Sequence, residues 1–135
     1  MKIKVAVFDD YPQYVNVMLG LLEREGYEAR GIVVTLRTTS EEVIRRVKAF
    51  GPHVLIADRE CWSDEQFGVR VIAECLDIKG LHILSSSGKP TLEMERISHR
   101  AFSRKEDLVN GCTSQTEIFL GMLRHFIEPP KLATA

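Results

Sequence analysis

Apolar runs of strand length alternate with apolar residues at helical spacing along most of this chain. The first run ends at Phe8 and is rich in β-branched residues, a pattern typical of a strand that is covered on both faces. Pro12 then suits a first helical turn, and Gly26 ends the predicted helix. This alternation occurs five times, and parallel strands need such crossover helices. The sequence therefore predicts an α/β domain with an open parallel sheet and helices on both of its faces.

Capping signals place the other elements. A second strand is predicted within residues 27–36, and Thr39 begins the capping box "TSEE" of a helix that ends at Gly51. A second capping box, Ser114-x-x-Glu117, opens the last predicted helix. The remaining predictions are a third strand "HVLIA", a helix over 69–76, a fourth strand "LHIL", a short helix over 90–97 and a fifth strand "RAFS".

Size and composition limit the class of protein. The 135 residues predict one domain over 1–128, followed by a flexible tail over 129–135. A net charge of −1 without blocks of like charge excludes the basic surface of a nucleic-acid-binding protein. No stretch of the sequence is long and apolar enough to span a bilayer. Cys61, Cys75 and Cys112 are an odd number without C-x-x-C spacing, which indicates reduced thiols in a cytoplasmic protein.

Charged and hydroxyl side chains stand where the predicted strands end. Asp9 and Asp10 close the first strand, Asp58 closes the third, a run of serines follows the fourth and Lys105 follows the fifth. The carboxyl ends of parallel strands form one edge of the sheet, and sites in such folds lie beyond that edge. The sequence therefore predicts that three carboxylates, a hydroxyl and an ammonium group converge there.

These residue types suit a phosphoryl transfer. Hard cations such as magnesium (Mg²⁺) prefer oxygen ligands, which Asp9, Asp10 and Asp58 supply. A carboxylate can also attack phosphorus and become an aspartyl phosphate. The transferring group carries negative charge on its oxygens, so that Mg²⁺, Lys105 and a serine hydroxyl each find an oxygen to stabilise.

The order of an acidic pair, a lone Asp, a Ser and a Lys, each closing a successive strand, resembles the receiver domain of two-component response regulators. The resemblance extends to about residue 128, and the matching segments are "VAVFDD", "PHVLIAD", "LHILSSS" and "AFSRK". It implies a flavodoxin-like (βα)5 fold, doubly wound, with five parallel strands in the order 2-1-3-4-5. By the resemblance, Asp58 would be the phospho-acceptor. Asp9, Asp10 and Asp58 would hold Mg²⁺ with help from the backbone carbonyl of Glu60.

The same resemblance implies roles for the second half of the site. Ser85, or Ser86 if the strand runs one residue longer, would contact the phosphoryl group, and Lys105 would pair with it. Phe102 would be the switch aromatic that moves with the serine. Without the resemblance, Phe102 is core packing and Lys105 a solvated lysine in the charged run "SRKED". Asp10 alone would be a helix N-cap.

The chain departs from the family pattern in several places. Glu106 stands where receivers usually have proline after the lysine. The stretch from the serines to Lys105 is short, which predicts a shortened fourth helix at a face that many receivers use to dimerise. The loop after Asp58 lacks the usual proline and carries Trp62, and an added polar stretch "LVNGCTSQ" precedes the last helix. Among the cysteines, Cys61 is the one whose position near Asp58 merits a test of reactivity.

The resemblance implies a phosphorylation-dependent switch and not an enzyme, apart from phosphorylation and dephosphorylation of its own aspartate. A histidine kinase or a histidine phosphotransfer protein would donate to Asp58. The response would be a contact with a downstream protein, with an output domain missing from this chain or with a second copy in a homodimer, but not with nucleic acid or membrane. An alternative is a receiver-like module that binds partners without phosphorylation. A phosphatase of the haloacid dehalogenase type is disfavoured because its acidic pair follows the lysine, whereas here Asp9 and Asp10 come first.

Overall fold

The computed structural model describes residues 2–75, 77–83, 100–102 and 105–127, with the backbone alone for 79–83 and 100–102. Five parallel strands form one sheet in the order β2-β1-β3-β4-β5. This confirms the predicted sheet and its order. The strands are β1 (Lys4–Asp9), β2 (Glu28–Val33), β3 (Val54–Asp58), β4 (Lys79–Ile83) and β5 (Arg100–Phe102).

Helices connect β1 to β2, β2 to β3 and β3 to β4, and two further helices follow β5. In the described part of the chain they are α1 (Pro12–Arg24), α2 (Ser40–Phe50), α3 (Phe67–Glu74), α4 (Lys105–Val109) and α5 (Thr113–Ile127). None of them is long and apolar enough to cross a membrane.

The start of α2 confirms one predicted cap. The Thr39 side chain accepts a hydrogen bond of 3.1 Å from the Glu42 backbone N–H, and Gly51 ends the helix in the left-handed conformation with φ 66°. The helix-cap interpretation of Asp10 is wrong, because Tyr11 is the N-cap residue of α1 and makes no side-chain cap bond. The side chain of Asp10 is therefore available for other contacts.

The segment after Lys105 contains a helix that the sequence did not predict. Residues Lys105–Val109 form α4, in which the carboxylates of Glu106 and Asp107 suit the positive end of the helix and Leu108 is buried. Gly111, with φ 72°, turns the chain into α5, which begins one residue before Ser114. Ser114 therefore lies in the first turn and is not the N-cap that was predicted.

The core consists of two apolar layers, one on each face of the sheet. Alternate residues of β1 serve opposite layers, since Val5 and Val7 pack with α1 and α5 while Ala6 and Phe8 pack with α2 and α3. Burial on both faces explains why this strand is continuously apolar in the sequence.

Several predictions fall outside the described residues. These are the shortened fourth helix over 90–97, the flexible tail over 129–135, and the serines Ser85 and Ser86. Phe102 is the last residue of β5, and its backbone alone is described.

Candidate functional site

Two carboxylates and one ammonium group meet at the carboxyl edge of the sheet. Asp9 ends β1 and Asp58 ends β3, and because these strands are paired in parallel the two residues lie side by side. Both side chains are almost completely buried. Lys105, the first residue of α4, places its Nζ atom 3.0 Å from Asp9 Oδ2 and 3.2 Å from Asp58 Oδ1. A buried ammonium thus bridges two buried carboxylates.

Burial determines the protonation of this cluster. Burial raises the pKa of Asp9 to about 8 and that of Asp58 to about 6, and neighbouring carboxylates add to both shifts while Lys105 opposes them. Burial acts to lower the pKa of Lys105, but the attraction of Asp58 and Asp9 outweighs it, so that this pKa is raised. Lys105 therefore stays charged at neutral pH, and further positive charge would stabilise the carboxylates.

Asp10 contacts the loop that joins β3 to α3. It is half-buried, and its Oδ2 accepts a hydrogen bond of 2.9 Å from the Trp62 backbone N–H. Ligand atoms of Asp10, Asp58 and Cys61 lie within 4.8 Å of one another. The acidic cluster thus has one half that holds Lys105 and a second half that faces Cys61 and Trp62.

The whole chain was compared with known proteins and with solved structures. No protein-family model matches the chain, and no curated protein matches it. A two-component response regulator from Clostridium difficile superposes with a TM-score of 0.72 at 10% identity, over 97% of this chain and 100% of that one. A response regulator receiver protein from Burkholderia phymatum gives 0.70 at 15% identity, with 93% and 95% covered. The chemotaxis protein CheY4 from Vibrio cholerae gives 0.69 at 16% identity, with 93% and 99% covered.

This chain has the fold of response-regulator receiver domains. The agreement extends over nearly the full length of each of the three structures. Sequence identities of 10% to 16% are evidence for a shared fold alone. The chemistry of the site has to be argued from the side chains that this receiver fold brings together.

The thiol of Cys61 belongs to the cluster, whereas the sequence indicated only that its reactivity merits a test. It is buried and its Sγ donates to Asp58 Oδ2 at 3.6 Å. Burial raises the pKa of this thiol, and the negative charges of Asp58 and Asp10 raise it further. Cys61 therefore remains a protonated donor, which disfavours a reactive thiolate.

The side chains in the second half of the acidic cluster, which faces Cys61 and Trp62, fit a hard divalent cation only in part. The carboxylates of Asp10 and Asp58 are ligands of the kind that Mg²⁺ prefers, and water completes such shells. Lys105 already binds one oxygen of Asp9 and one oxygen of Asp58, and a protonated thiol is a poor ligand for Mg²⁺. Asp10 and Asp58 would hold a cation, since their ligand atoms lie close together, and a share of Asp9 in holding it stays a prediction. Glu60 lies in the adjoining loop and is half-buried, and the role of its backbone carbonyl stays a prediction.

Tyr14 is a neighbour of the site that the sequence did not single out. The Lys105 Nζ lies 5.5 Å from the centre of the Tyr14 ring, and the side chain of Tyr14 is completely buried. Among the described residues its hydroxyl has no hydrogen-bond partner. The spacing of Tyr14 and Met18, four residues apart on the buried side of α1, was an available signal for its burial but not for its contact with Lys105.

Proposed function

We propose that this protein is a phosphorylation-dependent signalling switch of a two-component system, which accepts a phosphoryl group on Asp58 in the presence of Mg²⁺. The observation that carries the proposal is the bridge from Lys105 Nζ to Asp9 and Asp58 at the carboxyl edge of a receiver-fold sheet. The ammonium group neutralises the acceptor carboxylate, and it lies where the oxygens of an incoming phosphoryl group need positive charge.

The proposed reaction needs few groups. A carboxylate oxygen of Asp58 attacks the phosphorus of the donor, the bond from phosphorus to the leaving atom breaks, and its electron pair departs with that atom. Lys105 stabilises negative charge on the phosphoryl oxygens, while Asp9 keeps Lys105 in position. When bound, Mg²⁺ supplies the further positive charge that a second oxygen needs. Ser85 or Ser86 stays the proposed contact of the third oxygen, and Phe102 the proposed switch aromatic.

The partners follow from this chemistry. The donor would be a histidine kinase or a histidine phosphotransfer protein, and the recipient of the signal would be a downstream protein, an output domain or a second copy of the chain. The protein would act on its own aspartate and on no other substrate. Three free cysteines agree with a reducing compartment, and we place the switch in the cytoplasm, with residues 1–128 as the receiver unit.

Hydrogen bonds to Asp10 and Asp58 favour a second function, that of a module which binds its partners without phosphorylation. The Trp62 backbone N–H donates to one oxygen of Asp10 and the Cys61 thiol donates to one oxygen of Asp58, so the protein itself supplies a donor to each of these carboxylates. A receiver-like module that binds its partners without phosphorylation would retain such contacts permanently.

Intact mass separates the two functions. Wild type, Asp58→Ala and the exposed-residue control Asp77→Ala are incubated with acetyl phosphate, with and without Mg²⁺. The switch predicts one phosphoryl adduct on wild type and Asp77→Ala that requires Mg²⁺, and none on Asp58→Ala. A wild-type protein that gains no adduct with Mg²⁺ and does not bind beryllofluoride would instead be the phosphorylation-independent module.

A further inference from the structure

The loop between β3 and α3 contains a strained turn. The backbones of Cys61 and Asp64 exchange hydrogen bonds of 3.3 Å and 3.0 Å, and between them Trp62 and Ser63 have φ angles of 51° and 68°. In the described part of the chain these two are the non-glycine residues with positive φ. Turns of this shape ordinarily use Asn-Gly, because a Cβ atom disfavours the left-handed region. Something must therefore hold the turn in this conformation.

Contacts with three separate elements hold it. The Trp62 backbone N–H donates to Asp10 Oδ2 at 2.9 Å, and the Trp62 indole N–H donates to the Val34 carbonyl beyond β2 at 2.7 Å. Asp64 forms an ion pair with Arg70 of α3. Strain of this kind persists only where the surroundings enforce it, and here it is located beside the candidate site.

The turn and a cation need the same carboxylate. Asp10 accepts the Trp62 N–H and is also one of the two carboxylates that fit a hard cation. A cation that draws the Asp10 oxygens toward Asp58 weakens the bond to Trp62, and the strain in the turn then favours its release. The Trp62 side chain is 49% exposed and borders a cavity of about 380 Å³ between the loop after β2 and the start of α3. Its release would not have to break a packed core.

We propose that the turn Cys61–Asp64 is a latch that closes over Asp10 when no cation is bound, and that binding of a hard divalent cation opens it. The inference rests on the proposed function in that it uses the same Asp10 and Asp58. Coupling between two such events is reciprocal, so a change that weakens the closed latch raises the affinity for the cation, and a change that stabilises it lowers the affinity.

Two substitutions in the turn have opposite expected effects. Trp62→Phe keeps an aromatic ring and the backbone N–H but removes the indole bond to Val34, so its affinity for Mn²⁺ rises by about two- to tenfold, the worth of one hydrogen bond. Ser63→Gly removes the Cβ that disfavours positive φ, stabilises the closed latch and lowers the affinity by about two- to fivefold. Ser63→Ala keeps the Cβ, loses only the hydroxyl and leaves the affinity unchanged.

The binding probe is Mn²⁺ alone, titrated into each full-length variant and followed by electron paramagnetic resonance of the free ion. This readout needs neither phosphorylation nor a tryptophan. Leu36→Ala, at an exposed apolar side chain bordering the same cavity, is the control for general surface effects. Equal affinities in Trp62→Phe, Ser63→Gly and Ser63→Ala, or the reverse order, would overturn the latch.

Tryptophan emission gives a second readout, since Trp62 is the one tryptophan of the chain. Saturating Mg²⁺ should shift the emission of wild type to the red and increase its quenching by acrylamide. Asp10→Asn, whose amide oxygen still accepts the Trp62 N–H but carries no charge, should show neither change. An identical Mg²⁺ response in wild type and Asp10→Asn would also overturn the latch.

Failure of the latch and failure of the proposed function give different results. A Mg²⁺-dependent adduct at Asp58 together with equal Mn²⁺ affinities in the variants leaves the function in place and removes the latch. The expected order of affinities without any adduct leaves the latch in place and removes the function. A wild type and a Trp62→Phe variant that both bind no Mn²⁺ contradict the latch directly.

Discussion

Among the described residues, two carboxylates and the face of one aromatic ring lie close to the Lys105 ammonium. It lies 3.0 Å from Asp9 Oδ2, 3.2 Å from Asp58 Oδ1 and 5.5 Å from the centre of the Tyr14 ring. A cation over an aromatic face contributes about 0.5–2 kcal/mol, more when water is excluded. The ring therefore helps to fix the position of the ammonium.

Tyr14→Phe should keep or raise stability, because it preserves the ring and removes a buried hydroxyl that has no hydrogen-bond partner among the described residues, and such a hydroxyl costs about 1–3 kcal/mol in other proteins. Tyr14→Leu removes the ring and should slow formation of the Asp58 adduct. Thermal unfolding and the rate of adduct formation measure the two effects. A loss of stability in Tyr14→Phe as large as that in Tyr14→Leu would show that the hydroxyl has a stabilising partner.

Lys105→Met should lower the rate of adduct formation by about 100-fold, the effect of removing one preorganised donor from a site of charge development. The methionine fills a similar volume, so the loss of charge is separated from the loss of packing. Mass spectrometry of timed samples follows the adduct, with the variant Lys79→Met as the matched control at the first position of β4. Equal rates in wild type and Lys105→Met would remove Lys105 from the mechanism.

The sequence predicts that Asp9, Asp58 and Lys105 lie at the same edge of the sheet, because each stands at the end of a predicted strand and the carboxyl ends of parallel strands form one edge. It does not predict the bond from Trp62 to Asp10. That contact depends on the backbone path of a loop. Trp62 and Ser63 have left-handed φ angles, but they are not the residue types that such a turn ordinarily uses, so the sequence does not indicate the turn. The contact of Tyr14 with Lys105 was missed for a similar reason, since it joins residues 91 positions apart.

At the scale of elements, the first turn of α3 packs directly on the end of β3. A Cβ atom added to Gly68 would lie 2.0 Å from the backbone oxygen of Asp58 and 2.9 Å from the Cα atom of Arg59. The Gly68 N–H also donates to the Arg59 carbonyl at 3.0 Å. A glycine at this position lets the helix approach the backbone of the candidate phospho-acceptor closely.

Gly68→Ala should therefore destabilise the fold by about 1–3 kcal/mol, the usual cost of overpacking, because backbone atoms must move to make room. Gly20→Ala in α1 is the matched control, since a Cβ atom there meets nothing within 4 Å and alanine is the better helix former by about 1 kcal/mol. Denaturant unfolding of both variants measures the difference. A Gly68→Ala variant as stable as wild type would contradict the close packing of α3 on Asp58.

The order of the elements was predictable because each has a strong local signal: apolar runs for the strands, and for α2 the cap at Thr39. The helix α4 was not predicted. Its 5 residues are too few to show helical periodicity, and it is held in place by the burial of Leu108 and Lys105. The predicted start of α5 was also wrong, by two residues: a helix capped by Ser114 would begin at Gln115, whereas α5 begins at Thr113.

At the scale of the whole molecule, the buried carboxylates couple folding to pH. The pKa of Asp9 rises from 3.8 to about 8 on folding and that of Asp58 from 3.8 to about 6. Between those values the folded protein binds more protons than the unfolded chain, so the free energy of unfolding decreases as the pH rises. The raised pKa of Lys105 contributes stability that is complete below 10.5 and is unchanged in this window.

Without divalent cations, the melting temperature should therefore fall as the pH rises from about 5 to 8, and added Mg²⁺ should restore more stability at pH 8 than at pH 5. Differential scanning fluorimetry over this range measures both effects. Asp9→Asn, which cannot ionise, should flatten the dependence. A melting temperature that rises from pH 5 to pH 8 in the absence of divalent cations would contradict the raised pKa values of Asp9 and Asp58.

The central claim is that Asp58 carries the phosphoryl group, and chemical mapping of the adduct tests it most directly. Borohydride reduces an aspartyl phosphate to homoserine, and peptide sequencing by mass spectrometry then locates the reduced residue in wild type treated with acetyl phosphate and Mg²⁺. We expect homoserine at position 58 alone, and none when Mg²⁺ is omitted. Homoserine at position 9, 10 or 64, or an adduct that resists reduction, would contradict the assignment of Asp58 as the acceptor.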